Sequence, residues 1–221
     1  MNEKDALGFN VEEVNRILKK INENWSYTRA RLDEMFQQDV MGTIGSVWFA
    51  PEAQRFCKEY IEETAANIMR IAHNAYSSTN MVINDAAQKW AIKTGATFNT
   101  ISLVQDSNNL NKVDSSVIMN NKNGFVGIQN IDGIKMAGRN LSRLLKQVDE
   151  ISTETKLEIS KAKAFFGDGQ IENLSGWWKT LEEEIKTAIT EGIHLVDLVN
   201  EKVEKYQSTA QANARRFASG N

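Results

Sequence analysis

One proline and one cysteine, Pro51 and Cys57, are all that the 221 residues contain of either type. Proline breaks helix interiors, so its scarcity leaves long stretches free to run as uninterrupted helix. A single cysteine excludes an intrachain disulfide and any metal cage built from cysteines, and Cys57 reads as a small apolar filler. No run approaches the roughly 20 apolar residues of a membrane-spanning helix. The N-terminal MNEKDALGFN has no apolar core and is not a cleavable secretory signal. The 26 basic and 29 acidic residues are mixed along the chain, with a net charge of −3, so neither nucleic acid nor an anionic membrane meets a clustered basic surface. The expectation is a protein that is cytoplasmic when made, without stable membrane insertion. If it is secreted, the route does not read a cleavable signal.

What is present is helical periodicity. Asn10 followed by Glu13 predicts an N-cap with a capping box. Val11, Val14, Leu18, Ile21, Trp25, Thr28, Leu32 and Met35 then follow at spacings of three and four, a heptad seam roughly 45 Å long that Gly42 and Gly45 end. Pro51 and Glu52 suit the first turn of a second helix. Its seam, Cys57, Ile61, Ala65, Ile68, Ala72, Ala75, Thr79, Val82 and Ala86, carries alanines that let a partner helix approach closely, and it stops before Gly95.

Residues 95–133 lose the seam and become rich in Asn, Ser, Asp and Gly. They read as a connector with a short helix or extended piece around Phe98–Val104, and a connector this long favours two units. The plan then repeats. Ile134, Ala137, Leu141, Leu144, Val148, Ile151 and Thr155, continued by Ala162 and Phe165, make a third seam, and FFGDGQIEN breaks it. Trp178, Leu181, Ile185, Ala188, Gly192, Leu195, Val199 and Tyr206 make a fourth, with Lys202 as its lapse. The expected fold is all-α: a first hairpin over 10–94, the connector at 95–133, a second hairpin over 134–210 and a flexible tail at 211–221. Two long antiparallel hairpins would bury their stripes in a four-helix bundle or pseudo-dimer.

The residues give little purchase to catalysis. His73 and His194 lack partners at metal-ligand spacing, so no metal and no cofactor are expected. GDG at 167–169 has too few glycines to cradle a phosphate, and no nucleophile elbow or HExxH pattern occurs. Glu182, Glu183 and Glu184 point about 100° apart on a helix and read as a solvated face. Of the five tryptophans, Trp25 and Trp178 lie on seams and Trp90 would cover a helix end. Trp177 lies off the seam and faces a second surface, which suits a helix contacted from two sides or an association patch. Trp48 alone has no helical period behind it, and reads as a hydrophobic plug or as an exposed handle.

A polar helix, a short turn holding a tryptophan, and a second helix opening with an early aromatic together resemble the WXG proteins. These are helical hairpins exported by the type VII secretion system of Gram-positive bacteria and mycobacteria. Trp48-Phe49-Ala50 stands where that family has Trp-x-Gly, with Phe56 following, and Phe165-Phe166-Gly167 keeps an aromatic-x-Gly rhythm in the second half. Ala50 in place of glycine departs from the pattern, since alanine disfavours φ > 0. So does the absence of an acidic residue four positions after Tyr60, Tyr76 or Tyr206, where the family often carries its export signal. The resemblance implies a non-enzymatic substrate, carrier or partner protein of a type VII secretion system. Its partners would be a second copy, another WXG-like protein or the secretion machinery. The seams by themselves equally allow a cytosolic coiled-coil adaptor or chaperone, and a helical pore-forming toxin is a third reading.

Overall fold

The computed structural model describes residues 7–34, 42–58, 66–104, 127–161, 164–166 and 174–219, with the side chains of Lys161, Phe166, Leu174, Ser175, Gly176, Trp177, Trp178, Leu181 and Leu195 outside that description. The fold is all-α. Its long helices are α1 (Val11–Glu34), α4 (Ala66–Thr94), α5 (Ile131–Lys161) and α6 (Leu174–Ala218), with short helices α2 (Gly45–Val47) and α3 (Pro51–Cys57). Among the described residues there are also four two-residue strands: β1 (Gly8–Phe9), β2 (Trp48–Phe49), β3 (Gly127–Ile128) and β4 (Phe165–Phe166). The chain divides into two compact units, Met1–Arg31, Asn67–Asn109 and Gln147–Ala188 in one, Leu32–Ala66, Leu110–Lys146 and Ile189–Asn221 in the other. Each unit takes segments from both sides of the 95–133 stretch, so the units cut across the expected hairpins 10–94 and 134–210.

In the first unit the α1 seam is buried as its spacing predicts: Val14, Leu18, Ile21 and Trp25 are each at most 1% exposed. The contacts of α1 with α5 run in opposite directions along the two helices. Arg16 pairs with Glu158 at 2.9 Å and Lys20 with Glu154 at 3.1 Å. The same helices share a buried polar cluster with α4. The Asn24 amide donates to Thr155 Oγ1 at 2.7 Å, and the Tyr76 hydroxyl sits 3.3 Å from Thr155 Oγ1 and 3.4 Å from Thr28 Oγ1. Tyr76 also lies against the Trp25 ring, centroids 5.7 Å apart. Burial holds the Tyr76 phenol above its ordinary pKa. The expected seam of α4 is buried at Ile68, Ala72, Ala75, Thr79 and Ala86, yet Tyr76, Asn80, Ile83, Asn84 and Ala87 are buried as well. The extra burial comes in part from residues 98–104, which lie without helix against α1 and α4.

Glu182 corrects the expectation of a solvated acidic face. Glu183 and Glu184 are exposed, but the Glu182 side chain is 5% exposed and held by Lys156 at 2.6 Å and Lys186 at 2.9 Å. Burial alone would raise its pKa. The hydrogen bonds and charges of the two lysines outweigh that and leave it below the ordinary 4.5. A carboxylate whose folded pKa is depressed contributes stability in full above its unfolded value and loses it as the pH falls through the folded one. The wild type should therefore lose stability more steeply than Glu182→Gln below pH 4.5. At pH 7 the Gln variant should be the less stable by about 1–3 kcal/mol. Urea titrations across that range check both statements.

In the second unit Leu32, Ile44, Trp48, Phe56, Ile134, Leu141, Leu145, Val196 and Val203 are all buried. Val203 occupies the position beside the Lys202 lapse in the fourth seam and is 0% exposed. Gly138 of α5 packs tightly against α6: a Cβ there would stand 2.9 Å from Asn200 Oδ1. Cys57 is a free, buried thiol that burial pushes up to about 12, consistent with a filler. The tail expected as flexible from 211 is helical to Ala218, and every residue from Ser208 to Ala218 is exposed. No described helix is long and apolar enough to cross a membrane.

Candidate partner-recognition site at the aromatic turns

Each unit is closed by a pair of short strands. In one, β1 pairs antiparallel with β4, Gly8 opposite Phe166 and Phe9 opposite Phe165. In the other, β2 pairs antiparallel with β3, Trp48 opposite Ile128 and Phe49 opposite Gly127. The two clasps match in detail. The Asn10 N–H donates to the Ala164 carbonyl at 2.8 Å, and the Gln129 N–H donates to the Val47 carbonyl at 2.8 Å. Gly8 and Gly127 have φ of 151° and 140°, a region essentially closed to residues with a Cβ. Asn10 and Asn130 then cap the helices that follow, accepting from the N–H of Glu13 at 3.1 Å and of Gly133 at 2.8 Å. The capping box expected at Asn10 is only half made. The Asn10 N–H is committed to Ala164, and the Glu13 carboxylate turns to Arg16 at 2.8 Å instead. The clasps therefore place Phe165 as the counterpart of Trp48, the correspondence that the aromatic-x-Gly rhythm suggested.

Trp48 is 1% exposed, so the burial is that of a plug. Its indole lies 6.3 Å from the Phe56 ring at 32° between planes, and Phe56 is 8% exposed. The indole nitrogen is buried and makes no well-formed hydrogen bond, with the Tyr206 hydroxyl as a polar neighbour. The nearby Tyr206 hydroxyl donates instead to Glu52 Oε2 at 3.0 Å. Burial and that carboxylate raise the Tyr206 pKa, and the neighbouring Trp48 N–H only moderates the rise. Ala50 is 2% exposed with φ −153° and ψ 157°, an extended conformation open to any residue. The departure from glycine therefore costs nothing in backbone strain. It lets Pro51 start α3 with its missing N–H at the first helical position. Ala50→Gly should lower stability by about 0.5–1 kcal/mol through the added freedom of the unfolded chain, measured by thermal unfolding.

Of the other expected site residues, Phe49 is half-buried in β2, and Phe165 is half-buried, stacked on Phe9 with centroids 6.4 Å apart at 17°. Gly167 lies outside the described residues, and Trp177 is placed on α6 but its side chain lies outside the description. The structure thus brings together Trp48, Ala50 and Phe56 inside the turn, with Phe49 beside them at the surface. Sequence reasoning missed their clasp partners, Gly127 and Ile128, because two-residue strands carry no detectable period. The Glu52–Tyr206 pair was missed for a related reason: nothing in a sequence links two polar side chains so far apart. His73 is half-buried with its ring 5.3 Å from Trp25, and His194 is exposed. Among the described residues no three His, Cys, Asp or Glu side chains are grouped to hold a metal. No protein-family model matches the chain, and no curated protein or solved structure is significantly similar to it.

Proposed function

We propose that the chain is a non-enzymatic, WXG-like interaction protein, a secreted substrate, carrier or partner of a type VII secretion system. In this reading its two halves are antiparallel hairpins that close on each other as a four-helix pseudo-dimer. One observation carries it. Each clasp joins the lead-in to a helix of one half (Gly8–Phe9 or Gly127–Ile128) to the aromatic turn of the other half (Phe165–Phe166 or Trp48–Phe49). That reciprocity is how two separate hairpins would complete one another as subunits, and a tandem chain supplies its own partner. Since Trp48 is inside, the surface offered to the machinery is the turn's outer side, where Phe49 is half-buried and Glu52 and Arg55 are exposed.

Two experiments test the reading. Deleting the host's secretion ATPase should remove the protein from the culture supernatant, and an unchanged amount there sinks it. Light scattering should find residues 1–95 dimeric and the full chain monomeric. The exposed helical stretch Ser208–Ala218 suits a docking helix and so also fits a cytosolic adaptor. Stable recovery from cytosol of a partner unrelated to secretion would favour that alternative.

A further inference from the structure

Residues 101–104 are held by asparagines in an unusual way for a connector. Asn84 Oδ1 accepts from the Ile101 N–H at 3.0 Å, and its Nδ2 donates to the Ile101 carbonyl at 3.0 Å. Asn80 Nδ2 donates to the same carbonyl at 3.0 Å. On the other side, Asn22 Nδ2 donates to the Ser102 carbonyl at 3.1 Å and its Oδ1 accepts from the Val104 N–H at 2.8 Å. The Trp25 indole N–H donates to the Val104 carbonyl at 3.3 Å. In an extended chain the N–H and C=O of one residue face the same way, and successive residues face opposite ways. Ile101 is therefore read from α4, and Ser102 and Val104 from α1. The Asn22 and Asn84 amides, each donating and accepting, take the place of a neighbouring β-strand.

Three features separate this seat from ordinary core contact. Every one of these hydrogen bonds ends on the backbone of the segment, so the seat recognises an extended chain and not a particular sequence. Thr100, Ser102 and Val104 are exposed, Val104 by 47%, and Phe98, Ile101 and Leu103 are only half-buried, Phe98 edge-on to Phe9, so no side chain of the segment is deeply buried. The floor includes the amides of Asn22, Asn80 and Asn84, groups that water can satisfy if the segment leaves, where a hydrocarbon floor would resist exposure. A cleft of about 600 Å³ runs beside the seat, lined by His73, Ser77, Met81 and Asp85 of α4 and by Leu103. By the same alternation the Leu103 peptide groups face the α4 side, where this cleft lies.

We propose that the α1–α4 groove is a docking site for an extended polypeptide segment of a partner protein, and that residues 98–104 are a tethered occupant which that segment displaces. The cleft beside Leu103 gives the incoming chain its first foothold. Asn84 and Asn22 then exchange one backbone for another without change of geometry. The inference stands whether or not the chain is secreted.

Hydrogen exchange on the full chain gives the first test. The Ile101 and Val104 amides should exchange at least 100-fold faster than the core α4 amides of Ala75 and Tyr76, and equal protection would overturn the proposal. The second uses a fluorescein-labelled peptide of residues 96–104. The Ile101→Pro chain, whose tethered segment lacks the N–H that Asn84 accepts, should bind it at least tenfold more tightly than the wild type. Adding Asn84→Ala should abolish that gain. A helical Ile101→Pro chain with no gain in binding overturns the proposal. So does an Ile101→Pro chain that loses its helical circular dichroism, because the segment would then be part of the fold and not a replaceable occupant.

Discussion

Trp48→Ala should be the most damaging single substitution in the second unit, lowering the unfolding free energy by about 3–5 kcal/mol. The indole is 1% exposed, lies against Phe56 and belongs to the strand that pairs with Ile128. Truncation therefore leaves a cavity where β2, β3 and α3 meet, and the clasp has little else to collapse onto. Trp48→Phe makes the comparison informative. It loses ring volume, but it also removes a buried N–H whose approach to the Tyr206 hydroxyl falls short of a well-formed hydrogen bond. The desolvation cost of that poorly satisfied donor disappears with it, so the Phe variant should lose less than about 1.5 kcal/mol. Urea denaturation of the three proteins checks the ordering. If the Ala variant kept wild-type stability and lost only export, Trp48 would be a handle for the secretion machinery despite its burial.

The second large effect is expected at Tyr76. It is 0% exposed and joins the helices α1, α4 and α5 through Thr28 and Thr155. Tyr76→Ala should lose about 3–5 kcal/mol, because it removes a ring that Trp25 packs against. Tyr76→Phe keeps the ring and loses only the hydroxyl. Thr155 retains its bonds to Asn24 and to the Ile151 carbonyl, so few groups are orphaned and the loss should be near 1 kcal/mol. A double-mutant cycle of Tyr76→Phe with Thr155→Val should give a coupling of about 0.5–1 kcal/mol if the cluster acts as one network. Additive losses would reduce it to separate contacts.

The helices were legible in the sequence because their seams are written in residues that must be buried together. Val14, Leu18, Ile21 and Trp25 recur at the right spacing, and Lys202 could be recognised as a lapse beside a buried neighbour. The width of the buried stripe on α4 was not legible. Asn80 and Asn84 look like solvated residues until residues 98–104 lie over them, and that cover comes from a segment with no period of its own. Glu182 misled for the same reason, since its lysine partners include Lys156 on another helix. The concern that Ala50 would need positive φ also failed on a detail no sequence carries: the turn is extended there, and the left-handed demand falls on Gly8 and Gly127. At the candidate site the aromatics were visible from their motif, but not what closes over them.

The clasp geometry has a consequence for the order of events at the ribosome. Trp48 and its turn leave the exit tunnel about 80 residues before Ile128 does, and at ordinary rates of synthesis the interval is roughly 4–16 s. Through that time β2 has no edge to pair with, and β1 waits longer still for Phe165. The nascent first half must therefore persist for seconds with an unpaired strand edge and an uncovered indole. This is a window in which a chaperone, or a second nascent copy, could reach the turn before the chain completes itself.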